Sequence, residues 1–158
     1  MLRISKLTDY GTLVLVHLAG DEIDRLRPAS DVAEGTGLAL PTVQKVLKQL
    51  AKTGLVESAR GADGGYRLAR PADEISAAEI LDSLEGPVAI TECSHDDSHC
   101  ELESNCQVGG AWQKISVAIR EALDDIRLSD LRNPPQEFPL RYTILTGSGH
   151  SSRVGKTN

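Results

Sequence analysis

Two short segments with helical apolar spacing, separated by a glycine-containing tripeptide, constrain most strongly what this chain can fold into. The first, Pro28 to Glu34, begins with a proline, which suits the first turn of a helix. The second, Pro41 to Thr53, is followed by Gly54, a residue that commonly ends helices. With Gly35-Thr36-Gly37 as the turn between them, the pattern predicts a helix-turn-helix.

The second helix of this pair has an apolar face and a basic face. Its apolar residues are predicted to point inward: Val43, Val46, Leu47 and Leu50. On the other face, lysines suit DNA phosphates, and Gln44 can pair with adenine in the major groove. A solvated helix surface is the alternative interpretation. The candidate DNA-contacting residues on this helix are Thr42, Gln44, Lys45 and Lys48.

A glycine-rich turn follows the helix pair directly. Two strand-like runs, Leu55 to Ser58 and Tyr66 to Ala69, flank the segment Arg60 to Gly65, which predicts a β-hairpin. A hairpin after a helix-turn-helix is a wing, and its arginine can enter the adjacent minor groove. Arg60 is therefore a further DNA-binding candidate, with a phosphate contact at the strand end as the alternative.

The remaining pattern predicts a mostly α protein. Aromatic residues make up only 3% of the chain, and helix formers dominate. Leu7 to Ala19 is predicted to form the first helix. The sequence Ser76-Ala77-Ala78-Glu79 is a capping box that opens a fourth helix, which ends at Gly86-Pro87.

A long helix from about Gly110 to Arg127 is predicted near the end of the chain. One continuous apolar stripe follows it. A second copy of the same helix would cover this stripe, which predicts a two-fold homodimer; packing against the first helix is the alternative, and both can hold together. The residues after Asn133 are expected to form a flexible tail. The stripe consists of Ala111, Ile115, Ala118, Ile119, Ala122 and Ile126.

The charge is unevenly distributed along the chain. The net charge is −6, yet residues 40–70 hold six Lys and Arg against two Asp and Glu, so a basic surface for double-stranded DNA is compatible with an acidic protein.

No apolar run approaches a membrane span, and the N-terminus lacks the layout of a signal peptide, so a cytoplasmic protein with no membrane partner is expected. The absence of a C-x-x-C motif, a nucleotide loop and a Ser/His/Asp grouping argues against an enzyme.

Three cysteines lie in a polar, acidic segment that is too long for a plain connector. Cys93, Cys100 and Cys106 have the spacing C-x6-C-x5-C, with His95 and His99 between the first two. Their polar neighbours make a buried apolar role a poor explanation. Zinc with three cysteines and one histidine remains open, although structural zinc sites favour shorter gaps. An iron–sulfur cluster suits widely spaced thiolates and leaves one position for a further ligand.

Together these features resemble the IscR/NsrR-type (Rrf2) family of winged helix-turn-helix iron–sulfur transcription regulators. The resemblance runs from Met1 to about Leu131 and is closest to the branch that regulates the SUF iron–sulfur assembly operon. It is carried by Leu7-Thr8-Asp9-Tyr10, by Thr53-Gly54-Leu55-Val56, by Arg60-Gly61 with Gly64-Gly65-Tyr66, by Leu84-Glu85-Gly86, and by the three-cysteine segment.

The resemblance implies that Cys93, Cys100 and Cys106 bind the cluster. The first spacing is one residue longer than the commonest pattern in the family. Some members add a histidine three residues after the last cysteine, where this chain has Gly109. Others use an aspartate from the first helix of the partner subunit, and Asp9 matches that position. In the family a histidine ligand goes with [2Fe-2S] and an aspartate ligand with [4Fe-4S], so the resemblance implies one of these two clusters. His95 and His99 are the alternative fourth ligands.

The resemblance also implies a function. We expect a dimeric repressor that senses iron–sulfur cluster status and controls cluster assembly (SUF) genes. Because Pro41 and Gln44 replace residues common in the family, the operator is expected to differ. The alternatives are a repressor that senses nitric oxide or redox state, and a zinc-stabilised DNA-binding protein. The expected parts are a DNA-binding domain (1–87), a cluster-binding loop (88–108), a dimerisation helix (109–132) and the tail (133–158).

Overall fold

The computed structural model of this chain describes residues 4–20, 25–61, 63–87 and 109–133. The predicted cysteine loop and most of the predicted tail lie outside these residues. Within the described ranges the fold is mostly helical, as predicted, and no helix is long and apolar enough to cross a membrane. The elements are α1 (Lys6–Ala19), α2 (Ala29–Thr36), α3 (Leu40–Lys52), β1 (Val56–Ala59), β2 (Gly65–Leu68), a 3₁₀ turn (Ala72–Glu74), α4 (Ala77–Glu85), α5 (Gly109–Asp124) and α6 (Leu128–Arg132).

The predicted helix-turn-helix is confirmed, with its boundaries moved by one or two residues. Pro28 caps α2 instead of starting it, and the helix continues through Thr36. Gly37 then takes a left-handed φ of 71°, a conformation that costs little without a side chain, and this ends α2. Leu40, one residue before the predicted start at Pro41, is the first residue of α3.

The core lies between α1, α2, α3 and α4. All four inward residues predicted for α3 are buried, which confirms the apolar face of this helix. Gln49, at the edge of the same face, donates a hydrogen bond to the Ser83 carbonyl of α4 (3.1 Å). The larger core residues with less than 1% exposure are Val14, Leu15, Val32, Val43, Val46, Leu47, Leu50, Ile75 and Leu128.

The predicted hairpin is confirmed, with each strand one residue nearer the tip than expected. Strands β1 and β2 pair in an antiparallel register that places Glu57 opposite Arg67. The backbone of Arg27 extends this sheet, because Arg27 and Tyr66 exchange two hydrogen bonds of 2.9 and 2.8 Å. At Gly65 a Cβ would lie 2.5 Å from the Arg27 carbonyl, so this close approach requires glycine.

The prediction of one unbroken helix to Arg127 is wrong, because α5 ends at Asp124. Arg127 is extended and bridges to Ser76 in the segment that leads into α4. Hydrogen bonds from Ala77 N to the Ile126 carbonyl and from Leu128 N to the Ile75 carbonyl (both 2.8 Å) hold this crossing. Burial of Leu128 favours the break over a further helical turn.

Helix α5 runs antiparallel to α4, since Arg120 contacts Asp82 while Asp124 contacts Ser76. Its predicted apolar stripe is left uncovered within the described chain. Four stripe residues are exposed and the other two are half-buried. Helix α6, rather than α5, packs against α1, where Arg132 donates to the Ala19 carbonyl (2.9 Å). The predicted contact of this region with the first helix is therefore made by α6.

Candidate nucleic-acid interface

The outer face of α3 presents most of the predicted DNA-binding residues together. Gln44, Lys45 and Lys48 are all exposed on this face, with Lys52 one turn further along. Thr42 lies at the edge of the face and is half-buried, so it is the least accessible of the four residues predicted on the helix. The helical spacing that buries four apolar residues thus turns one amide and three ammonium groups toward solvent. Their contact with DNA remains a prediction.

Two of the six cations counted between residues 40 and 70 are committed to partners within the protein. Arg67 on β2 contacts Glu57 on β1 through Nε (3.0 Å) and Nη2 (2.8 Å). Arg70 contacts Glu79 on α4 at 2.8 Å. Neither arginine was distinguished from the free cations by the sequence. In the ranges that the structure describes, the three lysines of α3 and Arg60 make no ion pair.

The N-terminal turn of α3 is electrostatically favourable for an anion. It holds no acidic residue, and no side chain caps it. The helix dipole therefore adds partial positive charge at this end, near the start of the lysine-bearing face. The N-cap residue is Ala39, whose carbonyl accepts from Thr42 N and Val43 N (2.9 and 3.1 Å).

The wing continues directly from α3 into the hairpin. Leu55 N donates to the Leu50 carbonyl (3.1 Å), which joins the end of α3 to the beginning of the hairpin. Arg60 follows β1 at the tip and is exposed, on a separate element from the α3 residues. The wing therefore supplies a second, independent position for a nucleic-acid contact.

Polar contacts connect the wing to α4, and α4 to α5. Arg70, just beyond β2, pairs with Glu79 of α4. Asp82 of α4 contacts Arg120 of α5 (2.6 Å). Ser76, the N-cap residue of α4, donates a hydrogen bond to Asp124 of α5 (2.8 Å). Burial raises the pKa of Glu79, but hydrogen bonds from the Ser76 N–H and Arg70, with the charge of Arg70, outweigh it and hold that pKa below its ordinary value. These contacts form a polar connection from the end of the wing, through α4, to α5.

The predicted fourth metal ligand, Asp9, lies in the first turn of α1. It is exposed, and its carboxylate makes no hydrogen bond or ion pair within the described residues. The preceding residue, Thr8, donates to the Glu85 carboxylate, which also accepts from Ser5 N (3.2 Å). The turn that carries Asp9 is thus held at the end of α4, just before residue 88, where the cysteine segment begins.

The chemistry of this donor set fits an iron–sulfur cluster. Three thiolates would suit iron, and the accessible carboxylate of Asp9 would supply a harder, more easily lost fourth ligand. The described residues contain no cluster of three potential metal ligands. The thiols of Cys93, Cys100 and Cys106, and the alternative ligands His95 and His99, lie outside those residues.

Two residues of interest were not singled out from the sequence. Glu85 appeared only as part of a family motif, and its link to Thr8 and Ser5 spans about 80 positions that no local pattern connects. Leu40 was placed before the helix, although it is the exposed first residue of α3. The sequence signal for including Leu40 in α3 is Pro41, because proline is favoured in the first turn of a helix and the helix can therefore begin one residue before it.

A helix-turn-helix with a basic outer face, followed by a hairpin, defines a winged-helix DNA-binding protein. Residues 4–134 match the profile of the Rrf2 family, described as iron-dependent transcriptional regulators, and the chain belongs to this family. Members of the family are DNA-binding transcription regulators, not enzymes. The expected class of protein is therefore confirmed.

Solved structures of other regulators are similar to this chain. CymR, the global cysteine regulator of B. subtilis, is 30% identical over 84% of this chain and 97% of its own, with a TM-score of 0.63. IscR from T. potens is 32% identical over 82% and 85%, with a TM-score of 0.59. The oxidised form of CymR from Staphylococcus aureus is 29% identical over 86% and 100%, also with a TM-score of 0.59.

Proposed function

We propose that this regulator is a homodimeric repressor whose occupancy of a palindromic DNA operator depends on a bound iron–sulfur cluster. Cys93, Cys100 and Cys106 supply three ligands, and Asp9 from the partner subunit supplies the fourth. The single observation that carries the proposal is the exposed carboxylate of Asp9, which makes no hydrogen bond or ion pair within the described residues and lies on a turn held at the end of α4. The description of the family as iron-dependent supports it.

The residues around the cysteine segment couple it to the DNA-binding surface. The segment joins the end of α4 to the start of α5. Ligation holds its three cysteines together when the cluster is bound, which restricts both helix ends. Helix α4 is paired with Arg70, at the end of the wing, through Glu79. It also contacts α3, where Gln49 donates to the Ser83 carbonyl, so a shift of α4 reaches both DNA-facing elements. Loss of ligation thus reaches the DNA surface through packed elements.

The dimer is proposed to form along α5. Its uncovered apolar stripe offers the same surface on both copies, as a two-fold interface requires. Two copies of α3 then face two half-sites about one helical turn of DNA apart. If Asp9 reaches the partner's cysteines, loss of the cluster removes a link between subunits as well as one within each chain.

The regulated genes are proposed to be those of iron–sulfur cluster assembly. With clusters plentiful, the loaded dimer represses; with iron scarce or oxidant present, the operator is released and assembly increases. This logic rests on a resemblance to the SUF branch in the opening residues of the chain, Leu2-Arg3-Ile4-Ser5-Lys6-Leu7-Thr8-Asp9-Tyr10-Gly11. The protein acts in the cytoplasm, where the operator lies.

A second candidate function is a repressor that responds to thiol oxidation or nitric oxide through the same cysteines. One relative is solved in an oxidised form, and another is described as a global cysteine regulator, which favours thiol chemistry in this fold. A zinc-stabilised segment is the third possibility. The metal and sulfide content of the protein distinguishes these candidates, because only a cluster brings inorganic sulfide.

The proposed ligand set predicts a specific effect of Asp9→Asn. Protein purified without oxygen is expected to contain iron and acid-labile sulfide, and Asp9→Asn is expected to shorten the half-life of the cluster in air at least about fivefold. The effect is measured by the decay of visible absorbance, with iron and sulfide counted per chain. Asp31→Asn is the matched control, because Asp31 is an exposed first-turn aspartate of α2.

Equal cluster lifetimes for Asp9→Asn and Asp31→Asn would exclude Asp9 as a ligand and leave His95 and His99 to be tested. A protein that holds zinc and no sulfide would overturn the sensing proposal. In that case the winged helix would still bind DNA through α3 and the wing.

A further inference from the structure

An apolar side chain stands exposed at the start of an otherwise polar DNA-facing helix. Leu40, the first residue of α3, is 40% exposed. The other large apolar residues that are exposed in the described structure lie before or on α1 and on α5: Ile4, Leu13, Trp112, Ile115 and Val117. Among the exposed large apolar residues, Leu40 alone belongs to the proposed recognition helix.

The position of Leu40 on the helix places it beside a predicted base-reading residue. Leu40 and Gln44 are four residues apart, so their side chains are separated by only about 40° around the axis and by about 6 Å along it. Pro41, the second residue of the helix, is exposed and has a fixed φ, which makes this turn rigid. The N-terminal residues of a recognition helix are those that meet base edges.

The major groove offers one apolar group to such a side chain. Thymine presents a C5-methyl group there, whereas the other three bases present only hydrogen-bond donors and acceptors. Gln44 can make a bidentate contact with adenine N6 and N7. A leucine and a glutamine side by side therefore have complementary preferences for adjacent A·T pairs.

We propose that Leu40 contacts a thymine methyl group in the major groove and, with Gln44, makes an A·T-containing step a determinant of the operator. The inference deepens the proposed function, because it rests on α3 entering the major groove. It identifies a specificity-determining residue that lies outside the lysine face. The lysines supply affinity without regard to sequence, and Leu40 and Gln44 supply the choice of base.

The test removes the methyl group from the DNA without changing its hydrogen bonds. Binding sequences are first selected from a pool of random duplexes with the cluster-loaded protein. Each thymine of a selected half-site is then replaced by deoxyuridine, and the dissociation constants are measured at one salt concentration. Replacing one thymine is expected to weaken binding about fourfold, the loss that corresponds to one buried methyl group.

Two variants of the protein are measured on the same pairs of thymine and deoxyuridine duplexes. Leu40→Ala is expected to bind thymine and deoxyuridine duplexes equally at that position, whereas Leu40→Met is expected to keep most of the preference. Leu13→Ala is the matched control, since Leu13 is an exposed leucine on α1. Its ratio of the two dissociation constants should stay at the wild-type value, even if its overall affinity changes.

The outcomes separate this inference from the proposed function. If no duplex is enriched by the wild-type protein, sequence-specific DNA binding itself fails. If duplexes are bound and Leu40→Ala retains the wild-type preference for thymine, the role of Leu40 is wrong and the proposed function stands. A thermal melt of each variant confirms that the compared proteins are folded.

Discussion

One carboxylate, Glu85, joins the beginning of α1 to the end of α4. It accepts hydrogen bonds from the Ser5 N–H and the Thr8 hydroxyl, two groups that would otherwise rely on water at a helix N-terminus. A hydrogen bond from the Ser5 side chain, followed in effect by those from the Thr8 hydroxyl and the Ser5 N–H, holds the pKa of Glu85 below its ordinary value of 4.5. The charged form is thus the stabilising one, and the turn that carries Asp9 depends on it.

The Glu85→Gln substitution is expected to lower the free energy of unfolding by about 1 kcal/mol, because an exposed charged acceptor is replaced by a weaker one. The contribution of Glu85 is fully present above pH 4.5 and is lost as the pH falls through the lowered pKa of the folded state. The wild-type protein should therefore lose more stability than the variant between pH 5 and pH 3, about the range that carboxylate linkage covers. Urea unfolding measured across that range tests this difference.

Glu34→Gln provides the control for this experiment. Glu34 is an exposed carboxylate of α2 with no hydrogen bond or ion pair from its side chain in the described ranges. Its substitution reports the effect of exchanging an exposed glutamate for glutamine where no such contact is lost. A Glu85→Gln protein whose stability follows the wild-type curve at every pH would show that the Glu85 link does not contribute to folding.

At the scale of elements, local pattern was sufficient where a helix is ended by its own residues. Gly54, at the predicted end of α3, and Gly37, in the predicted turn, both take positive φ values, and the capping box of Ser76 and Glu79 forms as expected. Pattern failed between α5 and α6, where the break depends on hydrogen bonds to residues 75–77, some 50 positions away. The periodicity of apolar residues along one helix cannot predict a contact with such a distant part of the sequence.

In the candidate site, too, the parts set by local spacing could be predicted and the parts set by tertiary contacts could not. The lysines of α3 follow from helical spacing, because burial of one face determines which residues the other face carries. The engagement of Arg67 and Arg70 does not, since it depends on strand register and on the packing of α4. Counting cations along the sequence therefore overstated the number that are free to meet phosphate.

Helix α5 is expected to hold the dimer together through its apolar stripe. Ile115→Lys places a charge in the middle of that stripe and should convert the dimer to a monomer at micromolar concentration, because an unpaired ammonium group is costly to bury. Light scattering after size-exclusion chromatography measures the mass. Ile115 is 42% exposed in the single chain, so the substitution replaces a side chain that is not in the core. Helical content measured on the same sample distinguishes misfolding from dissociation.

Val117→Lys is the matched control, because Val117 is 51% exposed and lies about 160° around the helix from Ile115. It should remain a dimer. A dimeric Ile115→Lys protein, or a monomeric Val117→Lys protein, would place the subunit interface elsewhere on the molecule.

At the scale of the whole molecule, a protein of net charge −6 carries a basic recognition helix. Residues 71–132 hold fourteen Asp and Glu against four Lys and Arg, while α3 holds three lysines and no acid. The net charge therefore says little about the partner, since DNA responds to the local face. Binding that relies on such a face weakens steeply as salt increases, so affinities are comparable only at one ionic strength.

The coupling of cluster to operator is tested most directly by one comparison of affinities. The cluster-loaded wild-type protein and Cys93→Ala are titrated, without oxygen and at the same salt, against one duplex selected with the loaded protein. Cys93→Ala is expected to bind at least about tenfold more weakly, within the usual range of coupling between two sites. Equal affinities, with both proteins folded and only the wild type holding iron and sulfide, would contradict a repressor controlled by its cluster.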